Sequence, residues 1–264
     1  MLVTRVITGA ILGGALIATV LLLPTLYAAA VLAALWLAGA WEWAGLARLR
    51  GPYQAVYVAV VAVGMVLSFQ ASSLTATPML TVAIVWWAVA LAALLSAPHT
   101  FGMPAVAGVG LVVLLPSWLL LVQLHGDGPS GPGLALTALA IVWAADVGAY
   151  GVGRLLGRVK LAPKVSPGKT WEGLGGGVAL AAAAAWVAAL LLALPQVEMV
   201  MLGIVTALVS VVGDLTVSMF KRNVGLKDSG ALLPGHGGVM DRIDSLTAAV
   251  PVFMLGIRLA GIAA

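Results

Sequence analysis

Acidic residues at helical spacing stand out near the end of a chain that is otherwise mostly Ala, Leu and Val. Asp214 and Ser218 are four residues apart, and Asp241 and Asp244 are three apart, so each pair can share one face of a helix. Basic residues lie between and beside them: Lys221, Arg222, Lys227 and Arg242. Carboxylates bind Mg²⁺ together with substrate phosphates, and Lys and Arg bind the remaining phosphate oxygens. We therefore predict a metal and phosphate site, the alternative being that Asp241 and Asp244 only cap the last helix.

Further polar residues precede this segment. Lys164, Ser166 and Lys169 are potential phosphate-binding residues, and Asp146 lies within an apolar stretch, as Asp214 does. A charge at mid-bilayer costs at least about 2.5–3.5 kcal/mol, so such acids usually face a partner or a water-filled cavity. A third acid, Glu42, is flanked by two tryptophans. It is either an interfacial residue, the partner of an arginine, or a direct participant in the site.

Several familiar motifs can be set aside. The stretch SPGKT, residues 166–170, ends like a P-loop, but Pro163 occupies the position of the first glycine and we expect no preceding strand. The three histidines are scattered, and we expect His99 and His125 in loops, so a zinc site is not predicted. The chain has no cysteine, which excludes disulfides and thiolate chemistry.

The elements that must position these residues are apolar helices. The chain has 264 residues, of which 62% are hydrophobic and 8% charged, and its mean hydropathy is +1.15. This composition predicts an all-α, polytopic membrane protein. Nine spans are expected, or eight if the first two are continuous across Pro24: 6–23, 26–47, 53–70, 79–96, 103–124, 134–153, 173–194, 197–220 and 246–263.

The distribution of positive charge predicts the orientation. With nine spans and a cytoplasmic N-terminus, twelve of the thirteen cations fall on the cytoplasmic side and only Arg258 lies toward the other side. The twelve are Arg5, Arg48, Arg50, Arg154, Arg158, Lys160, Lys164, Lys169, Lys221, Arg222, Lys227 and Arg242. We expect residues 1–125 to serve packing and possible dimer contacts, and residues 126–264 to form the catalytic region.

The stretch SMFKRNVGLKDSGALLPGHGGVMDRID, residues 218–244, resembles the signature of the phosphatidate cytidylyltransferases, or CDP-diacylglycerol synthases. WAADVGAYGVGRLLGR at 143–158 and KVSPGKTWEG at 164–173 resemble two earlier motifs of that family, apart from Gly168, where many relatives have a basic residue. The matching signature positions are Ser218, Lys221, Arg222, Lys227, Asp228, Gly230, Pro234, His236, Gly237, Gly238, Asp241, Arg242 and Asp244.

The resemblance implies that CTP and phosphatidic acid react to give CDP-diacylglycerol and pyrophosphate. It also implies Mg²⁺, with K⁺ as a second cation, a homodimer, and a bacterial cytoplasmic membrane with the site facing the cytoplasm; no nucleic-acid partner is expected. A phosphate monoester is largely dianionic at neutral pH, so the nucleophile needs no base. We therefore predict metal ligands rather than proton acceptors at Asp214, Asp241 and Asp244.

The remaining predicted site residues divide into two groups. Lys227 and Arg242 are expected in catalysis. Those expected to bind substrate are Asp146, Lys164, Ser166, Lys169, Ser218, Lys221, Arg222, Asp228, His236, Gly237 and Gly238. Among these the expected phosphate contacts are strongest for Lys169, Lys227 and Arg242, because other cations can serve only to fix orientation.

Two other classes of function compete with this interpretation. One is a related nucleotide–lipid enzyme, such as a CTP-dependent lipid kinase, which would release CDP rather than pyrophosphate. The other is a transporter, in which intramembrane acids relay ions. The absence of a repeated 214–244 pattern in the first half, and the gathering of charge on one side, argue against transport.

Overall fold

The structure is a computed structural model that describes residues 2–96, 101–232 and 237–262, with side chains from residue 9 onward. The predictions for His99 and His236 therefore lie outside the described residues. Nine helices and one hairpin form the described part: α1 (Leu2–Leu22), α2 (Thr25–Leu46), α3 (Pro52–Gln70), α4 (Ser72–Ser96), α5 (Met103–Gly126), α6 (Gly131–Leu156), β1 (Lys160–Ala162), β2 (Ser166–Thr170), α7 (Trp171–Leu191), α8 (Gln196–Asn223) and α9 (Met240–Leu259).

The helical, polytopic architecture is confirmed. Seven helices, α2 to α8, are long and apolar enough to cross a membrane, and α1 adds the shorter apolar stretch Gly9–Leu22. In a bilayer each backbone polar group needs an internal partner, which favours helices for every crossing segment. The last helix, α9, is not among the seven, because Asp241, Arg242, Asp244 and Arg258 all lie within it.

Two helices, α4 and α9, begin more than a full turn earlier than predicted. α4 starts seven residues before position 79, since Pro78 is accommodated inside the helix and Thr75 Oγ1 donates to Ala71 O across 3.0 Å. Only Ala71 then separates α3 from α4. α9 starts six residues before position 246, at Met240. Polar residues conceal both starts from a search for apolar periodicity, and the second one places Asp241 and Asp244 within the helix.

A two-stranded antiparallel hairpin joins α6 to α7, where only loop was expected. Strands β1 and β2 pair with Lys160 opposite Thr170 and Ala162 opposite Ser166. The expectation that no strand precedes SPGKT was therefore wrong, although this segment is itself a strand and so is not a P-loop. Thr170 then caps α7 by accepting a hydrogen bond from Gly173 N at 3.1 Å.

The helices around the site pack closely. α6 lies against α7, with Gly148 so near Gly176 O that a Cβ there would approach that oxygen to 2.5 Å. Small residues permit such approaches, which drive helix association in lipid. Tryptophan indole N–H groups link further helices: Trp43 of α2 donates to Val106 O of α5, and Trp87 of α4 donates to Thr247 O of α9.

The connections between helices form two distinct ends. At one end the hairpin and the α8–α9 connection meet: Arg222 Nε donates to Val165 O at 3.3 Å, and Arg48 Nη2 donates to Asn223 O. At the opposite end His125 contacts Val20 O and Thr25 Oγ1 across 2.8 and 3.1 Å. His125 is thus a buried residue of α5 rather than a loop residue.

Candidate active site

We call the end where the hairpin and the α8–α9 connection meet the charged end. Three polar residues on one face of α8, Asp214, Ser218 and Lys221, form one wall of it. Ser218 Oγ donates to Asp214 Oδ1 at 3.1 Å, as their four-residue spacing predicts. One turn further, Lys221 is buried against the start of α9. Gly213, beside Asp214, allows α9 to approach so closely that a Cβ at this glycine would lie 2.7 Å from Asp244 O. The acids of α8 and α9 are therefore brought to one place.

The hairpin contributes Lys169 to the same place. Its Nζ lies 2.5 Å from Asp214 Oδ2, and each of the two side chains is 26% exposed. We call Lys169 and Asp214 the cavity pair. The two residues come from different segments of the fold, β2 and α8, and their partial exposure leaves both accessible from the charged end.

Asp241 accepts hydrogen bonds from both described segments of the α8–α9 connection, which are residues 224–232 and 237–239. Its carboxylate accepts from Ser229 N at 3.0 Å and from Gly238 N at 3.0 Å. Lys221 Nζ lies 2.8 Å from its Oδ1, with only 8% and 9% of the two side chains exposed. We call Lys221 and Asp241 the loop pair. Because it is buried and hydrogen-bonded, this pair is part of the structural base of the connection.

Asp244 and Asp146 complete the acidic group. Asp244 is buried, its Oδ1 accepts from Ser245 N at 2.7 Å, and it lies within Coulombic range of Asp214 and Asp146. Arg242 lies within Coulombic range of Asp146. Residues from α6, α8 and α9 thus place three mutually repelling carboxylates near each other. Such a group favours a bound cation or positively charged neighbours.

A cavity of about 420 Å³ opens between α6, the hairpin, α7 and α8. Its polar lining includes three predicted residues, Asp146, Ser166 and Lys169, and its apolar lining includes Leu161 and Leu174. The opening therefore offers charged and apolar surface side by side. Such a lining suits a ligand that is itself amphipathic.

Five other predicted residues are exposed to solvent. Lys164, Lys227, Asp228 and Arg242 are exposed. Arg222 is also exposed, and its Nη1 donates to Leu226 O at 2.9 Å. The structure therefore gives Arg222 backbone partners. The predicted roles of these five residues toward substrate stay predictions.

The two described glycines of the HGG segment lie beside Asp241. Gly237 has φ +80°, and a Cβ there would lie 3.1 Å from Asp241 Oδ2. Gly238 is the residue whose N–H binds the same carboxylate. A side chain at Gly237 would be strained in this left-handed conformation and would crowd the carboxylate.

The donor set fits a hard divalent cation. Mg²⁺ needs only one or two protein carboxylates when substrate phosphates supply further oxygens. Asp214 and Asp244 can provide these, and Asp241 can do so where Lys221 gives way. Within residues 2–96, 101–232 and 237–262, no group of three or more His, Cys, Asp or Glu side chains is arranged to hold a metal by itself. A cation at these carboxylates would therefore need further oxygen ligands, such as those of a phosphate group.

Comparison with protein families extends beyond the charged end. The cytidylyltransferase family matches residues 3–260, which is nearly the whole sequence. The chain belongs to the cytidylyltransferase family. The match includes the apolar helices of the first half as well as the hairpin, α8 and α9.

Individual relatives of the chain support its membership of this family. Phosphatidate cytidylyltransferase of Pseudomonas aeruginosa is 46% identical over 236 residues, covering 84% of each chain. The protein of the same name from Haemophilus influenzae is 38% identical over 255 residues, covering 81% of this chain and 83% of its own. The one from Brucella suis is 46% identical over 155 residues, covering 58% of this chain and 56% of its own.

The sequence predictions gave no role in the site to two residues of the cavity, and they left the role of Glu42 open. Tyr150 and Arg154 line the cavity, and Arg154 Nη1 donates to Tyr150 Oη at 2.9 Å. The four-residue spacing of these two residues on α6 was the available signal. Glu42 is buried against the α8–α9 connection, and no local pattern reveals that contact.

Taken together, the charged end can hold two anions close to each other. Acids suited to a cation lie in the interior, a lysine lies at the mouth of an amphipathic cavity, and further cations surround the rim. This arrangement can offset the repulsion between two phosphate-bearing substrates.

Proposed function

We propose that this chain transfers the cytidylyl group of CTP to phosphatidic acid, giving CDP-diacylglycerol and pyrophosphate. Two relatives that are named phosphatidate cytidylyltransferase match this chain over most of their own length. The single observation that carries the proposal is the meeting of Lys169, Asp214, Asp244 and Asp146 beside one amphipathic cavity. These residues come from separate segments of the sequence.

In the proposed reaction, an oxygen of the lipid phosphate attacks the α-phosphorus of CTP. A new P–O bond forms while the bond from the α-phosphorus to the bridging oxygen breaks, and pyrophosphate leaves with that oxygen. The attacking phosphate has a second pKa of about 6, so it is already largely ionised at neutral pH. The barrier that the protein must lower is therefore repulsion and misalignment of two anions, rather than removal of a proton.

We assign Asp214, Asp241 and Asp244 to Mg²⁺. When bound, Mg²⁺ supplies positive charge that stabilises the charge on the phosphate oxygens. The proximity of Asp214 to Asp244 supports this assignment. Asp241 has its oxygens engaged by Lys221 and two backbone N–H groups, so its additional role is to hold the α8–α9 connection. K⁺ as a second cation rests on the family resemblance alone.

We assign the cavity to the lipid. Its apolar lining, including Leu161, Leu174 and Val211, suits the glycerol and acyl region. Lys169 and Ser166 also line the cavity, and we assign them to the headgroup phosphate. We assign the exposed cations Lys164, Lys227 and Arg242 to the triphosphate. The cavity pair separates when a substrate phosphate replaces Asp214 as the partner of Lys169.

The membrane arrangement completes the proposal. The charged end faces the cytoplasm of a bacterial inner membrane, because positively charged connections are retained on that side and CTP is supplied from it. Nine crossings place the N-terminus on the same side. Residues 126–264 carry the reaction, and residues 1–125 supply packing. The protein functions as a homodimer, an assignment that rests on the family resemblance.

Product analysis tests the proposal. The purified protein is incubated with phosphatidic acid, Mg²⁺ and CTP labelled at either the α- or the γ-phosphate, and lipid and aqueous phases are separated. We expect the α-label in the lipid phase and the γ-label in pyrophosphate. Transfer of the γ-label to lipid, with release of CDP, would instead establish a lipid kinase.

A further inference from the structure

A buried acid from the first half of the chain contacts the α8–α9 connection at both of its described ends. Glu42, on α2, is 4% exposed. Its Oε2 accepts from Ser229 Oγ at 2.9 Å and from Met240 N at 2.8 Å, and its Oε1 accepts from Val239 N at 3.1 Å. Hydrogen bonds from several donors satisfy a carboxylate that burial would otherwise penalise. Glu42 is therefore buried within the protein, and its described partners are a hydroxyl and two backbone N–H groups.

The space around Glu42 is equally specific. A Cβ on Gly230 would overlap the Glu42 carboxylate, and so would a Cβ on Gly238. The neighbouring Trp43 packs edge-to-face on Phe220 of α8, with ring centroids 5.5 Å apart. The α2 helix is therefore fixed against α8 next to the point where Glu42 meets the connection.

Ser229 links Glu42 to the charged residues. Its hydroxyl donates to Glu42, and its backbone N–H donates to Asp241, whose other partners are Lys221 and Gly238 N. The resulting chain of contacts runs from Glu42 through Ser229 to the loop pair. Glu42 itself does not line the cavity between α6 and the hairpin.

We propose that Glu42 is a positioning residue for cytidylyl transfer: it fixes Ser229, Val239 and Met240 and thereby orients Asp241. This inference rests on the proposed function. The first half of the chain then contributes to catalysis and is more than a packing scaffold. Loss of Glu42 leaves two backbone N–H groups and one hydroxyl without their acceptor, so the connection loosens at both described ends.

Graded substitutions test the proposal. In Glu42→Gln, the single amide oxygen can satisfy one side, and Ser229 can accept from the amide, so one backbone N–H loses its acceptor. In Glu42→Ala all three contacts are lost. We expect turnover per folded protein to fall about tenfold for Gln and about a hundredfold for Ala, equivalent to losing roughly one and two strong contacts. The KM for phosphatidic acid should stay within about twofold, because the cavity has no contact with Glu42.

Hydrogen exchange supplies a readout that does not depend on activity. We expect the amides of Val239 and Met240 to exchange faster in Glu42→Ala, and those of α6 and α7 to be unchanged. The matched control is Glu198→Ala, since Glu198 is an exposed acid in the first turn of α8 at the opposite end. This control should match the wild type in both turnover and exchange.

A double-mutant cycle isolates the contact. Gly230→Ala alone should reduce turnover, because its Cβ meets Glu42, but it should have little added effect in the Glu42→Ala background, where the space is free. Additive effects would overturn the proposal, and so would wild-type turnover or unchanged exchange in Glu42→Ala. If Glu42→Ala does not fold, Glu42→Gln and Ser229→Ala provide the same comparison. An inactive wild type would refute the proposed function. The exchange data would still show whether Glu42 holds the α8–α9 connection in place.

Discussion

The cavity pair and the loop pair have the same chemistry and opposite environments. Lys169 and Asp214 are each 26% exposed at the mouth of a cavity, whereas Lys221 and Asp241 are 8% and 9% exposed beneath the α8–α9 connection. An exposed pair contributes little to stability and exchanges partners readily, while breaking a buried pair is costly. We therefore expect the cavity pair to respond to substrate and the loop pair to maintain the shape of the site.

The largest expected effect comes from removing a carboxylate that we assign to the cation. Asp214→Asn or Asp244→Asn should lower turnover on the order of a thousandfold, because a neutral amide is a poor ligand for Mg²⁺. For Asp214 the melting temperature should change little, since its ion pair is partly exposed. Formation of labelled lipid and thermal unfolding in detergent, measured on the same preparation, provide the check. Near-normal product formation by either variant would remove that residue from the site.

Breaking the loop pair should lower both stability and turnover. In Asp241→Asn the Lys221 ammonium loses its buried partner, so we expect a loss of roughly 3 kcal/mol of stability together with loss of turnover. The measurement is the melting temperature beside that of Asp214→Asn. Equal melting temperatures for the two variants would abolish the distinction between the pairs.

The sequence predicted some of this site because parts of it are local. The four-residue spacing of Asp214 and Ser218 predicted that they share one face of a helix, and in the structure they form a hydrogen bond. The polar segment 164–170 predicted a role for Lys169, which lies next to Asp214. Helix starts were predicted to within one residue directly after Pro24 and Pro195. Such signals lie within a few residues of the feature that they predict.

The remaining features depend on distant contacts. Glu42 meets Ser229 across 187 positions, and no spacing rule covers such a separation. The hairpin is stabilised partly through Arg222, which binds Val165 O from α8, so its residues alone did not indicate strands. The early start of α9 was hidden because its first turns carry Asp241 and Asp244 in place of an apolar stripe.

A smaller effect is expected from the other member of the cavity pair. Lys169→Gln removes a charged hydrogen bond to substrate phosphate, so kcat/KM should fall about ten- to a hundredfold, with stability nearly unchanged. Lys160→Gln is the matched control, because Lys160 is exposed on the neighbouring strand. If both variants lose activity equally, general positive charge rather than the cavity pair accounts for the effect.

The smallest effect should be found at the opposite end. Arg258 lines a separate cavity of about 460 Å³ with Asp127 and Gln123, far along α9 from Asp241 and Asp244. Arg258→Gln should therefore change turnover less than about twofold, which steady-state rates at saturating CTP can establish. A loss comparable to that of Lys169→Gln would show that the two ends are coupled.

A structure of the protein with CTP and Mg²⁺, in the absence of phosphatidic acid, tests the central claim most directly. No acceptor is then present, so the nucleotide remains intact. We predict the triphosphate at the charged end, with a divalent cation between its phosphates and the carboxylates of Asp214 and Asp244. A nucleotide bound at the Arg258 end, or out of reach of Asp214 and Asp244, would contradict the account.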